Sequence, residues 1–134
     1  LLFSLQRELR MNPDGLSQAL KDRLDRARSV TTTEYLLAKD RIPHVAAAFD
    51  EYFDYFDAIL TPAALGAAPE GLESTGDPIM QTVWTFAHLP SLNLPLFRLD
   101  NGLPLGVQAI GKAQDDARLL RSARWLVNSI ATES

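Results

Sequence analysis

His44 and His88 are the two histidines, the residue type in which a neutral-pH base, a proton shuttle or a metal ligand would be sought first. Each stands alone. There is no His-x-x-x-His or similar ligand spacing, a metal site would need the two to meet in space with a carboxylate, and no metal or cofactor site is expected. Asp77 lies in a Gly-Asp-Pro turn and Asp115-Asp116 stand before a helical run, where turn and capping roles explain them as well as acid–base work does. None of the eight serines lies in a Gly-x-Ser-x-Gly elbow, and no glycine run forms a phosphate-cradling loop. Without cysteine there is no thiolate nucleophile and no disulfide. No catalytic residue is assigned.

The elements that would position a site divide the chain in three. Residues 1–56 read as helical, 57–111 as strands with an ordered pocket loop, and 112–134 as a closing helix. In the first part, Leu1, Leu2, Leu5 and Leu9 leave one apolar stripe, and Asn12-Pro13-Asp14-Gly15 marks a turn. Ser17 is the expected N-cap of a helix with Leu16, Leu20, Leu24 and Ala27 on its inner face. The mixed charges between Lys21 and Arg28 read as a solvated face. Thr31 and Glu34 have capping-box spacing and open a long helix. Its stripe of Tyr35, Ala38, Ile42, Val45, Ala46, Phe49, Tyr52, Phe53 and Phe56 is expected to pack in the core, with a kink or break at Pro43.

From Thr61 to Gly111 the punctuation changes: six of the eight prolines and six of the seven glycines fall there, which suits a fixed wall rather than regular helix. Ala58 to Thr61 reads as a buried strand, followed by a loop through Met80. Ser91–Leu99 and Leu105–Ala109 alternate around Asn101-Gly102, an antiparallel hairpin whose first strand Pro95 confines to an edge or a bulge. Leu119, Leu120, Ala123, Leu126, Val127 and Ile130 form the buried stripe of the last helix, with Arg118, Arg121 and Arg124 outside. The helix ends raggedly at Thr132-Glu133-Ser134, read as a natural C-terminus.

A charge of −4 and a pI near 5.1 argue against nucleic acid and acidic membrane surfaces. No apolar run approaches a membrane span. The expected setting is the cytoplasm. The start at Leu1 suggests a piece of a longer chain.

The order of Asp57-Ala58-Ile59-Leu60-Thr61-Pro62, Ser74-Thr75-Gly76-Asp77-Pro78, Trp84-Thr85, Leu89-Pro90-Ser91-Leu92-Asn93-Leu94-Pro95, Gly102-Leu103-Pro104-Leu105-Gly106-Val107-Gln108 and Asp116 to Leu120 resembles the C-terminal part of the amidase signature family. The resemblance implies an α/β fold in which helices pack on a few strands of a mixed sheet that includes the C-terminal hairpin. It implies hydrolysis of an amide C–N bond through a lysine, a bridging serine and a nucleophilic serine, all upstream of the matched part. It also places Gln81, Trp84 and His88 on the substrate-side wall, with Thr85 and Leu89 behind them. Gln81 stands where the family commonly has asparagine, and His88 where it commonly has glycine. The partners implied are a small-molecule amide and the upstream part of the same chain, and homo-oligomerisation is allowed. The alternative is a free-standing, non-catalytic binding module derived from an amidase.

Overall fold

The computed structural model describes residues 4–132. Leu1 and Leu2 of the first stripe, and the chain end at Glu133 and Ser134, lie outside the described residues. The chain divides into two compact units, one ending at Arg41 and one starting at Ile42.

In the first unit, α1 (Gln6–Met11) stops at a single tight turn, Pro13–Gly15, where the Asn12 side chain accepts from the Gly15 N–H at 3.1 Å. Helix α2 (Gln18–Ser29) starts as its sequence indicates, with the Ser17 hydroxyl accepting from the Leu20 N–H at 3.4 Å and Leu24 buried. Helix α3 (Thr32–Phe53) begins on a complete capping box. The Thr31 N–H and hydroxyl both donate to the Glu34 carboxylate at 2.8 Å, and the Glu34 N–H donates to the Thr31 hydroxyl at 3.2 Å.

These bonds, the backbone one first, hold the Glu34 carboxyl below its ordinary value. A carboxyl whose pKa is lower folded than unfolded adds stability above its unfolded value and loses it as pH falls through the folded one. The start of α3 should therefore fray only in acid. A proton titration followed by NMR should give Glu34 a midpoint below that of an unstructured glutamate, with the Thr31 amide shift moving at the same midpoint. A midpoint at or above the ordinary value would contradict the bonded box.

Helix α3 continues unbroken through Pro43, so the expected break is not there. Its aromatic stripe is only partly core. Phe53 is fully buried, and Val45 and Phe49 pack against it, but Tyr35, Tyr52 and Phe56 are exposed. Periodicity identified the apolar face, and residues at both of its ends stay partly exposed.

The second unit is built on a three-stranded sheet in the order β1-β3-β2, with β1 at Ile59–Pro62, β2 at Ser91–Arg98 and β3 at Pro104–Ile110. Both pairings are antiparallel. The hairpin turns through Leu99 to Leu103, where Gly102 takes a φ of +81° that a side chain would strain. Pro95 sits within the register shift between Leu94 and Phe97, on an edge strand, so the missing N–H interrupts no ladder bond in the centre of the sheet. Strand β1 is an edge strand with an alternating burial pattern, not a fully buried strand.

Neighbouring residues of β3 serve opposite faces. Ile110 joins Phe53, Ala87 and Leu89 in one core, under α3 and α4 (Ile79–Phe86). Ala109 joins Leu94, Leu119 and Ala123 in the other, under α5 (Asp116–Thr132). Helix α5 approaches closely because Gly111 has no side chain, and a Cβ there would stand 2.9 Å from that of Leu119. The stripe of α5 is narrower than its sequence indicates: Leu119 and Ala123 are buried, Leu126 and Ile130 partly so, and Leu120 and Val127 are exposed. Arg118 is not on the outside, since its guanidinium reaches back to the end of α3.

Candidate pocket wall

Helix α4 was not visible as a helix in the sequence, yet it carries the candidate wall residues. Asp77 and Pro78 start it. The Asp77 carboxylate accepts from the Ile79 N–H at 2.9 Å, and the Thr82 hydroxyl donates back to the Pro78 carbonyl at 3.0 Å. Only eight residues follow, too few for the apolar period to separate from a strand or loop reading.

Gln81 and Trp84, one turn apart, are both partly buried. The Gln81 side-chain amide donates to the Ala63 carbonyl, tying α4 to the chain leaving β1. Trp84 sets its ring edge-on to Phe49, with centroids 5.4 Å apart, and packs against the core of Phe53, Ala87, Leu89 and Ile110. Its indole Nε1 is buried and has no hydrogen-bond partner among the described residues.

His88 does something different, because its backbone ends the helix. The Leu89 N–H donates to the Trp84 carbonyl at 3.0 Å and the His88 N–H to the Thr85 carbonyl at 3.3 Å, the two bonds of a Schellman stop. That stop requires a left-handed residue, and His88 supplies it at a φ of +57° with its side chain exposed. The departure from glycine noted in the sequence thus falls on the position where glycine is least strained. His88→Gly should stabilise the chain by about 1 kcal/mol, whereas His88→Ala, which keeps the strain, should be near neutral. Equilibrium urea unfolding of both variants checks this; a destabilised His88→Gly would contradict it.

One contributor escaped the sequence reading. Gln108 of β3 is 3 % exposed, and its side-chain amide donates to the carbonyls of Pro62 at 3.2 Å and Met80 at 2.6 Å. It therefore joins the end of β1 to the first turn of α4, and its sequence signal was a single polar residue between Val107 and Ala109. Past this staple lies a concavity of about 580 Å³, lined by the loop from Ala63 to Pro69, by Thr75, Gly76 and Asp77, and by Asn93 and Gly106 of the hairpin. Its lining is small and largely uncharged. Gln81, Trp84 and His88 stand outside that lining, Gln81 and Trp84 turned toward the interior and His88 toward solvent.

Such an arrangement offers walls and hydrogen-bond donors. Among the described residues, neither histidine is hydrogen-bonded to a serine, and no group of three or more histidines and carboxylates is placed to hold a metal.

A family model described as Amidase matches residues 6–120. One subunit of the glutamyl-tRNA(Gln) amidotransferase of Agathobacter rectalis is 38% identical over 86 residues, which cover 59% of this chain and 17% of the relative. The same subunit of Wolinella succinogenes is 34% identical over 104 residues, covering 72% of this chain and 23% of the relative. Among solved structures, an amidase superposes with a TM-score of 0.77 at 23% identity, covering 93% of this chain and 31% of that one. The corresponding glutamyl-tRNA(Gln) amidotransferase subunit of Thermotoga maritima gives a TM-score of 0.57 at 25% identity, covering 89% and 29%. The chain spans about a fifth of the length of the curated relatives it matches. With the match running from the start of α1 into the first turn of α5, well over half of the chain, the chain belongs to the amidase family.

Proposed function

We propose that this chain is the C-terminal segment of an amidase-type hydrolase, in which a serine upstream of Leu1 attacks an amide carbonyl and forms an acyl-enzyme that water releases. A lysine acting through a bridging serine removes the nucleophile's proton. The present residues supply the closing hairpin and the substrate-side wall, with Gln81, Trp84 and His88 setting which acyl or leaving group fits. The observation that carries this reading is the family match over residues 6–120 combined with coverage of only 31% of a solved amidase. The orphaned Nε1 of Trp84 agrees with it: an unsatisfied buried donor costs about 1–3 kcal/mol, and an acceptor from the remainder of the site would remove that cost.

Small amides are the substrate class, and the cytoplasm is the setting. The relatives are named as one subunit of an amidotransferase and, in another solved structure, as an aryl acylamidase. On that basis aryl amides and glutamine are the first compounds to assay, and further subunits are candidate partners. The 134-residue chain alone should hydrolyse none of them, while the longer chain should turn over at least one and show an acyl adduct on an upstream serine by mass spectrometry. Turnover by the short chain would overturn the reading.

A further inference from the structure

The concavity beyond the Gln108 staple has charge of one sign only. Among its lining residues Asp77 is the single acid and there is no base. Between Asp57 and Gly111 the one lysine or arginine is Arg98, and it is engaged elsewhere, donating to the Gly102 carbonyl in the hairpin turn at 3.2 Å. The loop that wraps the cavity carries two further carboxylates, Glu70 and Glu73.

The polar groups of the lining are free to bind. One oxygen of Asp77 accepts from the Ile79 N–H at 2.9 Å, and the other makes no hydrogen bond among the described residues. Asn93 lies across Gly106 of β3, where a Cβ would collide with its side-chain amide, and that amide makes no hydrogen bond among the described residues either. The start of the loop is fixed around them. The Ala63 N–H donates to the Gly106 carbonyl at 2.9 Å, and the Gln81 amide holds the Ala63 carbonyl.

We infer that this cavity selects substrates by charge: it receives the non-reacting end of an amide when that end is an uncharged carboxamide, and refuses a carboxylate, with Asp77 as the specificity-determining residue. A carboxamide has an N–H for the free Asp77 oxygen and a carbonyl for the Asn93 amide. A carboxylate brings a second negative charge to a site with no cation to meet it, which weakens binding by about tenfold at close range. The inference rests on the reading of this chain as part of an amidase and adds a substrate class to it.

The test uses the longer chain and two pairs of compounds that differ in that charge, succinamide against succinamate and para-acetamidobenzamide against para-acetamidobenzoate. In at least one pair the uncharged member should have the higher kcat/KM, by about tenfold or more. Asp77→Asn should reduce that ratio by about threefold or more, and so should high salt in the parent. Asparagine caps a helix as well as aspartate does, so the melting temperature should hold to within about 2 °C. A damaged cap would lower both members alike and leave the ratio unchanged. Ala64→Lys, which sets a cation in the lining, should shift the preference toward the carboxylate. If the longer chain hydrolyses amides but treats both members of each pair within about twofold, or keeps its ratio in Asp77→Asn, selection by this cavity is wrong and the functional reading survives. Turnover of other amides but of neither pair counts against the cavity in the same way. A longer chain that hydrolyses no amide overturns both.

Discussion

Replacing Gln108 by Glu should cost about 3 kcal/mol of stability at neutral pH, and the loss should shrink in acid. The native side chain is almost wholly buried and uses its amide N–H groups on two carbonyls, those of Pro62 and Met80. A carboxylate has no donor, so it would set its charge against two carbonyl oxygens in a site it cannot leave. Burial and that repulsion raise the pKa of the new carboxyl above its unfolded value. Between the unfolded and folded values the unfolded chain releases the proton more readily, so the variant gains stability as pH falls through the folded pKa. Below the unfolded value the protonated carboxyl can donate to one carbonyl, leaving a deficit of about 1 kcal/mol. Gln108→Met, which removes the donors without adding charge, should cost about 2 kcal/mol at any pH. Urea unfolding at neutral and acid pH distinguishes these outcomes. A Gln108→Glu chain within about 0.5 kcal/mol of the parent at neutral pH would mean that the staple between β1 and α4 does not hold the wall.

Arg118→Ala should cost about 2 kcal/mol, mostly through the end of α3. The guanidinium donates to the Phe53 carbonyl at 3.1 Å, to the Phe56 carbonyl at 3.4 Å and to the Asp57 carboxylate at 2.7 Å. The first acceptor is the last carbonyl of a long helix, which has no partner within the helix, and the second belongs to the turn that follows it. Asp57 is 72% exposed, so its ion pair is screened and contributes little by itself. Two further variants separate the contributions. Arg118→Lys should recover less than half of the loss, since one ammonium cannot span three acceptors in the fork geometry of arginine. Asp57→Asn should cost less than about 1 kcal/mol. Thermal melts of the three variants at low and high salt check the apportionment. If Asp57→Asn costs as much as Arg118→Ala, the ion pair and not the carbonyl clamp carries the contact.

What the sequence could reveal was local. Thr31 and Glu34 are three residues apart and need nothing else to form their box; Asn101-Gly102 makes its turn from its own backbone preferences. Pro95 announced an irregular edge because the missing N–H is a property of one residue. Gln108 and Arg118 stayed hidden because their partners are 46 and 65 residues away, and a polar residue does not declare its acceptor at that distance. Helix α4 was hidden by brevity. The stripes at Tyr35, Tyr52, Leu120 and Val127 show a further limit: spacing tells which face is apolar but not whether its cover belongs to the same sequence. His88 is the mixed case. Its departure from glycine was legible, but the reason, a left-handed helix stop, appears only in the backbone.

The central claim, that these residues are the C-terminal segment of a larger amidase domain, is tested most directly by sequencing the transcript upstream of the Leu1 codon. The account predicts one open reading frame that continues through a lysine and a Gly-Ser-Ser-rich segment before reaching its start. A start codon at or just before Leu1, or translation beginning at Met11, with no such segment in frame, would contradict it.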